Sequence, residues 1–269
     1  MFEQDWLTSA NPRLLMKLFA STGTLQYGPT SVPVFYPQKL TKRHYRLLAC
    51  AFCRHDKQIM ADARCLIAVQ TAELFADKEA DLYLLRNAYN MALASFNNRS
   101  KCWQFSLALS ACVEDIKKEM SRLLLRAGRL KIFDLIQCDL IRDIAGNPWQ
   151  SLKPLQAFGG LMCHPWLAWN DGTVRKIARG IYDNHDFASM PILADALQEA
   201  GCQDKRILDH LLAPCLYCQD AKFDTGDSGN PVQNPKLARH WQTQCVCGGS
   251  RLRLHARGCH VLDNLLGKT

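Results

Sequence analysis

The apolar positions of this chain recur mostly with the period of an α-helix. Ranges 42–60, 62–76 and 80–97 and the stretch 132–144 carry apolar residues on one helical face. Two clear sets at i, i+3, i+4 and i+7 are Val174, Ile177, Ala178 and Ile181, followed by Leu193, Ala196, Leu197 and Ala200. Alternation with a period of two is almost absent before residue 245. The pattern therefore predicts an all-α fold, a mainly helical globular domain.

Capping and turn residues mark the ends of several predicted helices. Asn170 or Asp171 is placed to cap the helix that follows it, and Pro191 fits the first turn of the next helix. Gly201 stands where a C-cap belongs, and Gly146-Asn147-Pro148 is a strong stop signal after residue 144. These signals support the helical interpretation.

The helical pattern breaks over residues 219–250, which are rich in Gly, Asn, Asp and Pro and poor in aliphatic side chains. A loop of about thirty residues without a core of its own is uncommon unless something other than packing organises it. We therefore divide the chain into a helical domain (1–212), a Cys-rich insertion (213–250) and a C-terminal segment that returns to the helical domain (251–269).

Two cysteine pairs bracket this insertion. Cys215 and Cys218 have Cys-x-x-Cys spacing, and Cys245 and Cys247 have Cys-x-Cys spacing. Such turns present two thiolates to one tetrahedral zinc ion, and structural zinc substitutes for a missing hydrophobic core in small modules. The pattern predicts a zinc-knuckle-like structural site. Because the second pair is tighter than usual, one of the four thiolates could be replaced by another residue: Cys259, His255, His260, His240 or His210.

The chain has 269 residues, of which 13 are cysteine. It opens on Met1-Phe2-Glu3-Gln4-Asp5, which is no secretory leader, and it has no apolar run long enough to cross a bilayer. We therefore expect a cytoplasmic protein with no membrane partner, in which thiols stay reduced. The remaining cysteines of the helical part are expected to pack in the core: Cys50, Cys53, Cys65, Cys102, Cys112, Cys138 and Cys202.

The net charge is +8, and the stretch 231–258 contains no acidic residue. Its candidate nucleic-acid contacts are Lys236, Arg239, Arg251, Arg253 and Arg257. Within 251–257 basic and apolar residues alternate, so a short strand would carry one basic face. That face could contact phosphates beside a zinc knuckle. The same arginines would also offset the negative charge of four zinc-bound thiolates, so both interpretations stay open.

Several motifs occur together in this chain: Trp6-Leu7, Arg46–Arg54 (RLLACAFCR), Arg142–Pro148 (RDIAGNP), Pro191–Cys202 and Arg257–Lys268 (RGCHVLDNLLGK). In combination they resemble the motifs of a large family of planctomycete-type bacterial proteins that has no established activity. The resemblance implies a bacterial, cytosolic, helical protein. Residues 213–250 would then be an insertion relative to that family, and zinc binding by its cysteines an elaboration of this chain.

No coherent acid–base or phosphate-binding set accompanies these motifs. The sequence therefore favours a non-catalytic helical interaction or adaptor protein with an unidentified protein partner and a structural zinc site. One alternative is a nucleic-acid-binding protein that uses the knuckle and the basic strand. A second alternative is an enzyme whose site is formed by Asp195, His210, His255 and Cys259.

Overall fold

The structure is a computed structural model that describes residues 3–20, 40–98, 105–120, 131–148, 165–215 and 252–268. These residues are mainly helical, and no strand occurs among them. The prediction of an all-α core is therefore confirmed for this part of the chain. In the described part, no helix combines the length and the apolar character that crossing a membrane requires.

The described part of the chain contains the following helices, in chain order. They are α1 (Glu3–Thr8), α2 (Pro12–Ala20), α3 (Lys42–Arg54), α4 (Lys57–Met60), α5 (Ala63–Ala76), α6 (Leu82–Asn98), α7 (Phe105–Ala111), α8 (Lys131–Ala145), α9 (Pro165–Ala168), α10 (Thr173–Asn184), α11 (Met190–Glu199), α12 (Lys205–Leu211) and α13 (His260–Leu266). Residues 116–120 are also helical. The chain forms two compact units, Met1–Ser151 with Ala256–His260, and Leu152–His255 with Val261–Thr269.

The first unit is organised around α3, which packs against α5, α7 and α8, while α6 packs on α5 and α7. Every residue from Tyr45 to Cys53 is buried, because α3 has neighbours on more than one side. The predicted helix over 42–60 is divided in two. Asp56 accepts hydrogen bonds from the backbone N–H groups of Gln58 and Ile59. It is therefore the N-cap of α4 and separates that helix from α3.

Cysteine side chains fill small spaces in these cores. Six of the cysteines that the sequence assigns to core packing are buried: Cys50, Cys53, Cys65, Cys112, Cys138 and Cys202. Burial raises the pKa of the Cys112 thiol to about 12 and that of Cys50 well above its usual value. Thiols with raised pKa values carry little thiolate at neutral pH, so these side chains act in packing. Cys102 lies outside the described residues.

In the second unit α11 packs against α10 and α12. Pro191 lies in the first turn of α11, and Gly201 follows its end with φ 88°, as predicted. The backbone N–H of Cys202 bonds the carbonyl of Leu197 at 2.8 Å and that of Gly201 bonds Gln198 at 2.9 Å, which is a Schellman C-cap.

The predicted cap of α10 is wrong. Gly172 is the N-cap residue, and no side-chain hydrogen bond caps this helix. Asn170 and Asp171 have left-handed backbone conformations, with φ 45° and 54°. A capping side chain needs an extended backbone at the cap position. The tight turn between α9 and α10 therefore removes both residues from the capping role.

The predicted strand over 251–257 is reduced, among the described residues, to an isolated antiparallel bridge between Pro214 and Leu252. Next to it the Arg253 N–H donates to the Ala213 carbonyl at 2.8 Å. Residues 216–251 lie outside the described part of the chain. The zinc-knuckle-like insertion therefore stays a prediction.

Candidate metal centre

The RDIAGNP motif at the end of α8 anchors the N-terminal helix α1. Arg142 lies here with its Nε 2.8 Å from the Trp6 carbonyl and its Nη2 2.5 Å from the Ser9 carbonyl. These two carbonyls belong to the last turn of α1 and to the residue that follows it. Carbonyls at the end of a helix have no hydrogen-bond partner within the helix. Asn147 donates from Nδ2 to the Glu3 carboxylate at 2.7 Å. The Arg and Asn of this motif thus have a structural role.

Asp143, the next residue of the same motif, is fully buried and faces the C-terminal segment. Its Oδ2 accepts the backbone N–H of Ala256 at 2.9 Å, and its main-chain carbonyl accepts the Nδ1–H of His260 at 2.8 Å. Gly146, with φ 69°, makes room for this histidine, because a Cβ at residue 146 would lie 3.1 Å from the His260 ring. The end of α8 is therefore shaped to hold the segment 256–260.

A tight turn at Ala256–Cys259 buries the Cys259 thiol. The Cys259 N–H bonds the Ala256 carbonyl at 2.9 Å, and Gly258 occupies the third position of the turn with φ 94°. This position favours glycine, which adopts positive φ without steric cost. Arg257, the second residue of the turn, forms an ion pair with Asp77 at 2.8 Å. The side chain of Cys259 has no exposed surface.

Two histidines approach each other in the second unit. His210 lies in the last turn of α12, and His255 lies in the chain that follows the Leu252 bridge. Both are buried, and their ring centroids are 5.0 Å apart at an interplanar angle of 68°. Asp204 begins α12 as its N-cap and accepts the Arg206 N–H at 3.0 Å. Because Asp204 fixes where α12 begins, it also fixes which residues lie on the buried face of the helix, and His210 is one of them.

Four buried side chains could together hold a metal ion: Asp143, His210, His255 and Cys259. Each offers one ligand atom, and these atoms all lie within 4.8 Å of one another. A tetrahedral zinc ion with bonds of about 2.0–2.3 Å separates its ligand atoms by about 3.3–3.8 Å. The ligand atoms, which lie up to 4.8 Å apart, therefore need to come closer together to coordinate such an ion.

The structure brings together three of the alternate ligands that the sequence nominated, namely His210, His255 and Cys259. His260, a further alternate, bonds the Asp143 carbonyl. Cys215 is buried. The remaining predicted ligands, Cys218, His240, Cys245 and Cys247, lie outside the described residues.

Sequence reasoning missed Asp143 as a candidate ligand. The signal was the RDIAGNP motif, whose acidic residue has no helix-stabilising reason to be buried. Asp195, which the enzyme hypothesis grouped with the two histidines and Cys259, is instead exposed on α11. A contact between residues so far apart in sequence depends on tertiary structure, so local spacing could not select between the two carboxylates.

The basic residues of the proposed nucleic-acid face are placed in different environments. Arg257 is engaged with Asp77 and its side chain is 8% exposed, so it does not face solvent. Arg253 is half-buried. Lys236, Arg239 and Arg251 lie outside the described residues, so a basic face on that segment stays a prediction.

Compared with known protein families, with curated proteins and with solved structures, the chain shows no match.

Proposed function

We propose that this protein is a non-catalytic, zinc-binding helical protein in which Asp143, His210, His255 and Cys259 hold one structural zinc ion. The observation that carries this proposal is the convergence of these four buried side chains within 4.8 Å. The ion would bind the folded chain, in which the four side chains are close together, and not the unfolded chain. It would thereby stabilise the helical fold.

The donor atoms suit zinc better than a hard cation. One thiol sulfur, two imidazole nitrogens and one carboxylate oxygen are all common zinc ligands. Magnesium and calcium instead prefer sites made of oxygen atoms, and they bind six or more of them. A soft thiolate together with two imidazoles therefore selects a transition metal of the zinc type.

Charge and burial support a closed structural site. When the Cys259 thiol is deprotonated, it and the Asp143 carboxylate carry two negative charges, which a divalent ion neutralises. Burying two negative charges costs free energy, and a bound divalent ion would offset that cost. Four protein ligands fill a tetrahedral coordination sphere, whereas catalytic zinc keeps a position open for water or substrate. This favours a structural role, as in an interaction or adaptor protein.

The enzyme alternative uses three of the same side chains. A thiol beside two imidazoles and a carboxylate is also a set from which a nucleophile and a base can be formed. All four side chains are buried, however, which hinders the approach of a substrate. Alkylation of the folded protein distinguishes the two roles, because a nucleophilic Cys259 would be modified rapidly and a zinc-bound, buried one slowly.

The test is metal analysis of the full chain purified without added chelator. We expect the Cys259→Ser and His255→Ala variants to hold about one equivalent of zinc less than the wild-type protein. Chelator should also lower the wild-type unfolding temperature, because metal binding adds to folding free energy. Cobalt substitution gives a second readout, since this site supplies one thiolate and a four-cysteine knuckle would supply four.

The matched control is Cys202→Ser, which alters a buried cysteine outside the candidate site. It should leave the zinc content unchanged. A wild-type protein without zinc would overturn the proposal. Zinc that is retained in full by both ligand variants would assign the metal to other residues, and would also overturn this site.

A further inference from the structure

We infer that Asp77 is a positioning residue for this metal centre: through Arg257 it fixes the turn that presents Cys259. The inference rests on the proposed zinc site. It adds a residue that is not itself a candidate ligand and that acts through the backbone of the C-terminal segment. Every contact that carries it lies within the first unit.

Asp77 lies at the end of α5 and its side chain is completely buried. Arg43 donates to its Oδ1 from Nε at 3.0 Å and from Nη2 at 2.9 Å. Arg257 donates to its Oδ2 from Nε at 3.0 Å and from Nη2 at 2.8 Å. One carboxylate thus joins the first turn of α3 to the C-terminal segment. Buried, charge-assisted bonds of this kind are stronger and more directional than neutral ones.

Arg257 occupies the centre of the segment that carries two candidate ligands. It is two residues after His255 and two residues before Cys259. Fixing its guanidinium restricts the turn whose other anchors are the Ala256 N–H on Asp143 and the close approach of Gly258 to α3. A turn held at three consecutive residues loses little further conformational entropy when a metal binds, which raises affinity.

Arg257 has a second acidic neighbour, Glu79. Its carboxylate lies 3.8 Å from Arg257 Nη2, and its side chain is 46% exposed. A partly exposed carboxylate at this distance contributes little, because solvent screens the attraction. The buried bond to Asp77 therefore determines where the Arg257 side chain lies.

The experiment measures zinc affinity of the full chain by competition with a chromophoric chelator, using zinc alone as the probe. We expect Asp77→Asn to weaken zinc binding by about 10-fold, at the lower end of what outer-shell residues contribute. Arg257→Lys keeps the charge and loses the two-pronged geometry, so it should weaken binding by a smaller factor. The cobalt spectrum should keep its single-thiolate character in both variants.

Arg43→Gln is the matched control, because it removes the other arginine from the same carboxylate and leaves the bond to Arg257 in place. It should lower stability to denaturant but change zinc affinity less than about twofold. Equal losses of affinity in Asp77→Asn and Arg43→Gln would overturn the inference, and so would unchanged affinity in both Asp77→Asn and Arg257→Lys. If Asp77→Asn does not fold, Arg257→Lys against Arg43→Gln decides. A wild-type protein without zinc would contradict the proposed function itself.

Discussion

Gly258 lies directly against Leu47 of α3: a Cβ at residue 258 would be 2.8 Å from Leu47 Cδ1 and 3.2 Å from Leu47 Cβ. Leu47 is itself buried, so it has little room to move away. The backbone at Gly258 also has φ 94°, a conformation that other residues rarely adopt. The C-terminal segment therefore reaches α3 only because this residue has no side chain.

Gly258→Ala should destabilise the protein by about 2–4 kcal/mol, since it combines backbone strain with a steric clash. Urea unfolding of the two proteins measures the difference. Gly201→Ala is the control, because Gly201 also has positive φ, 88°, but a Cβ there meets no atom within 4 Å. Gly201→Ala should therefore lower the free energy of unfolding only through backbone strain, by about 1 kcal/mol. Equal effects of the two substitutions would contradict the packing argument.

His44 should make stability depend on pH. It forms a capping box at the start of α3, where its Nδ1 accepts the Thr41 backbone N–H at 3.1 Å. Burial, with a smaller contribution from the Arg43 charge, lowers the His44 pKa from 6.5 to about 4. A protonated Nδ1 could no longer accept that bond. The folded state therefore favours neutral His44, and its contribution is complete above about pH 6.5.

As pH falls from about 6.5 to 4, the unfolded state takes up a proton at His44 before the folded state does, so stability falls. The loss from this group should be about 1–3 kcal/mol. His44→Gln keeps a residue that completes a capping box and removes the titration. Urea unfolding at several pH values should show a shallower slope for this variant. If the stability of the two proteins changes equally with pH, His44 is not the cause of the pH dependence.

Arg46 stabilises the first unit through two backbone carbonyls. Its guanidinium is buried, donates to the Ala111 carbonyl at 2.5 Å and to the Val113 carbonyl at 2.9 Å, and lies 4.9 Å from the centre of the Phe75 ring. Arg46→Met would leave both carbonyls without these bonds at the end of α7. We expect a loss of about 2–3 kcal/mol in urea unfolding.

The control for Arg46 is Arg86→Met. Arg86 pairs with Glu114 at 2.7 Å, but its side chain is 65% exposed. An exposed ion pair contributes little, so this change should stay within about 0.5 kcal/mol of the wild-type protein. A comparable loss in both variants would show that arginine charge, and not the buried carbonyl contacts, determines the effect.

Gly180 offers a stabilising substitution. It lies inside α10, and a Cβ at this residue would meet no atom within 4 Å. Alanine has the higher helix propensity and restricts the unfolded chain, so Gly180→Ala should stabilise the protein by about 0.5–1 kcal/mol. Urea unfolding measures the gain. Unchanged or lower stability would indicate that the helix does not continue through this position.

The sequence alone predicted most of the longer helices and the stop signals after α8 and α11, because helical periodicity and capping are local. Gly201 and Pro191 lie where the pattern placed them, and the cysteines of α3 and α5 are buried as predicted. Local patterns did not predict that Asp56 divides the first long helix. They also misassigned the cap of α10, because the turn before it has an unusual backbone.

The candidate metal centre was decided only by tertiary structure. The sequence nominated His210, His255 and Cys259 as alternates on the basis of residue type, but gave no reason to join them to Asp143. That grouping requires α8 and the C-terminal turn to meet, which depends on Gly258 against Leu47 and Arg257 on Asp77. Contacts between residues far apart in the chain follow from packing, and no local pattern encodes them.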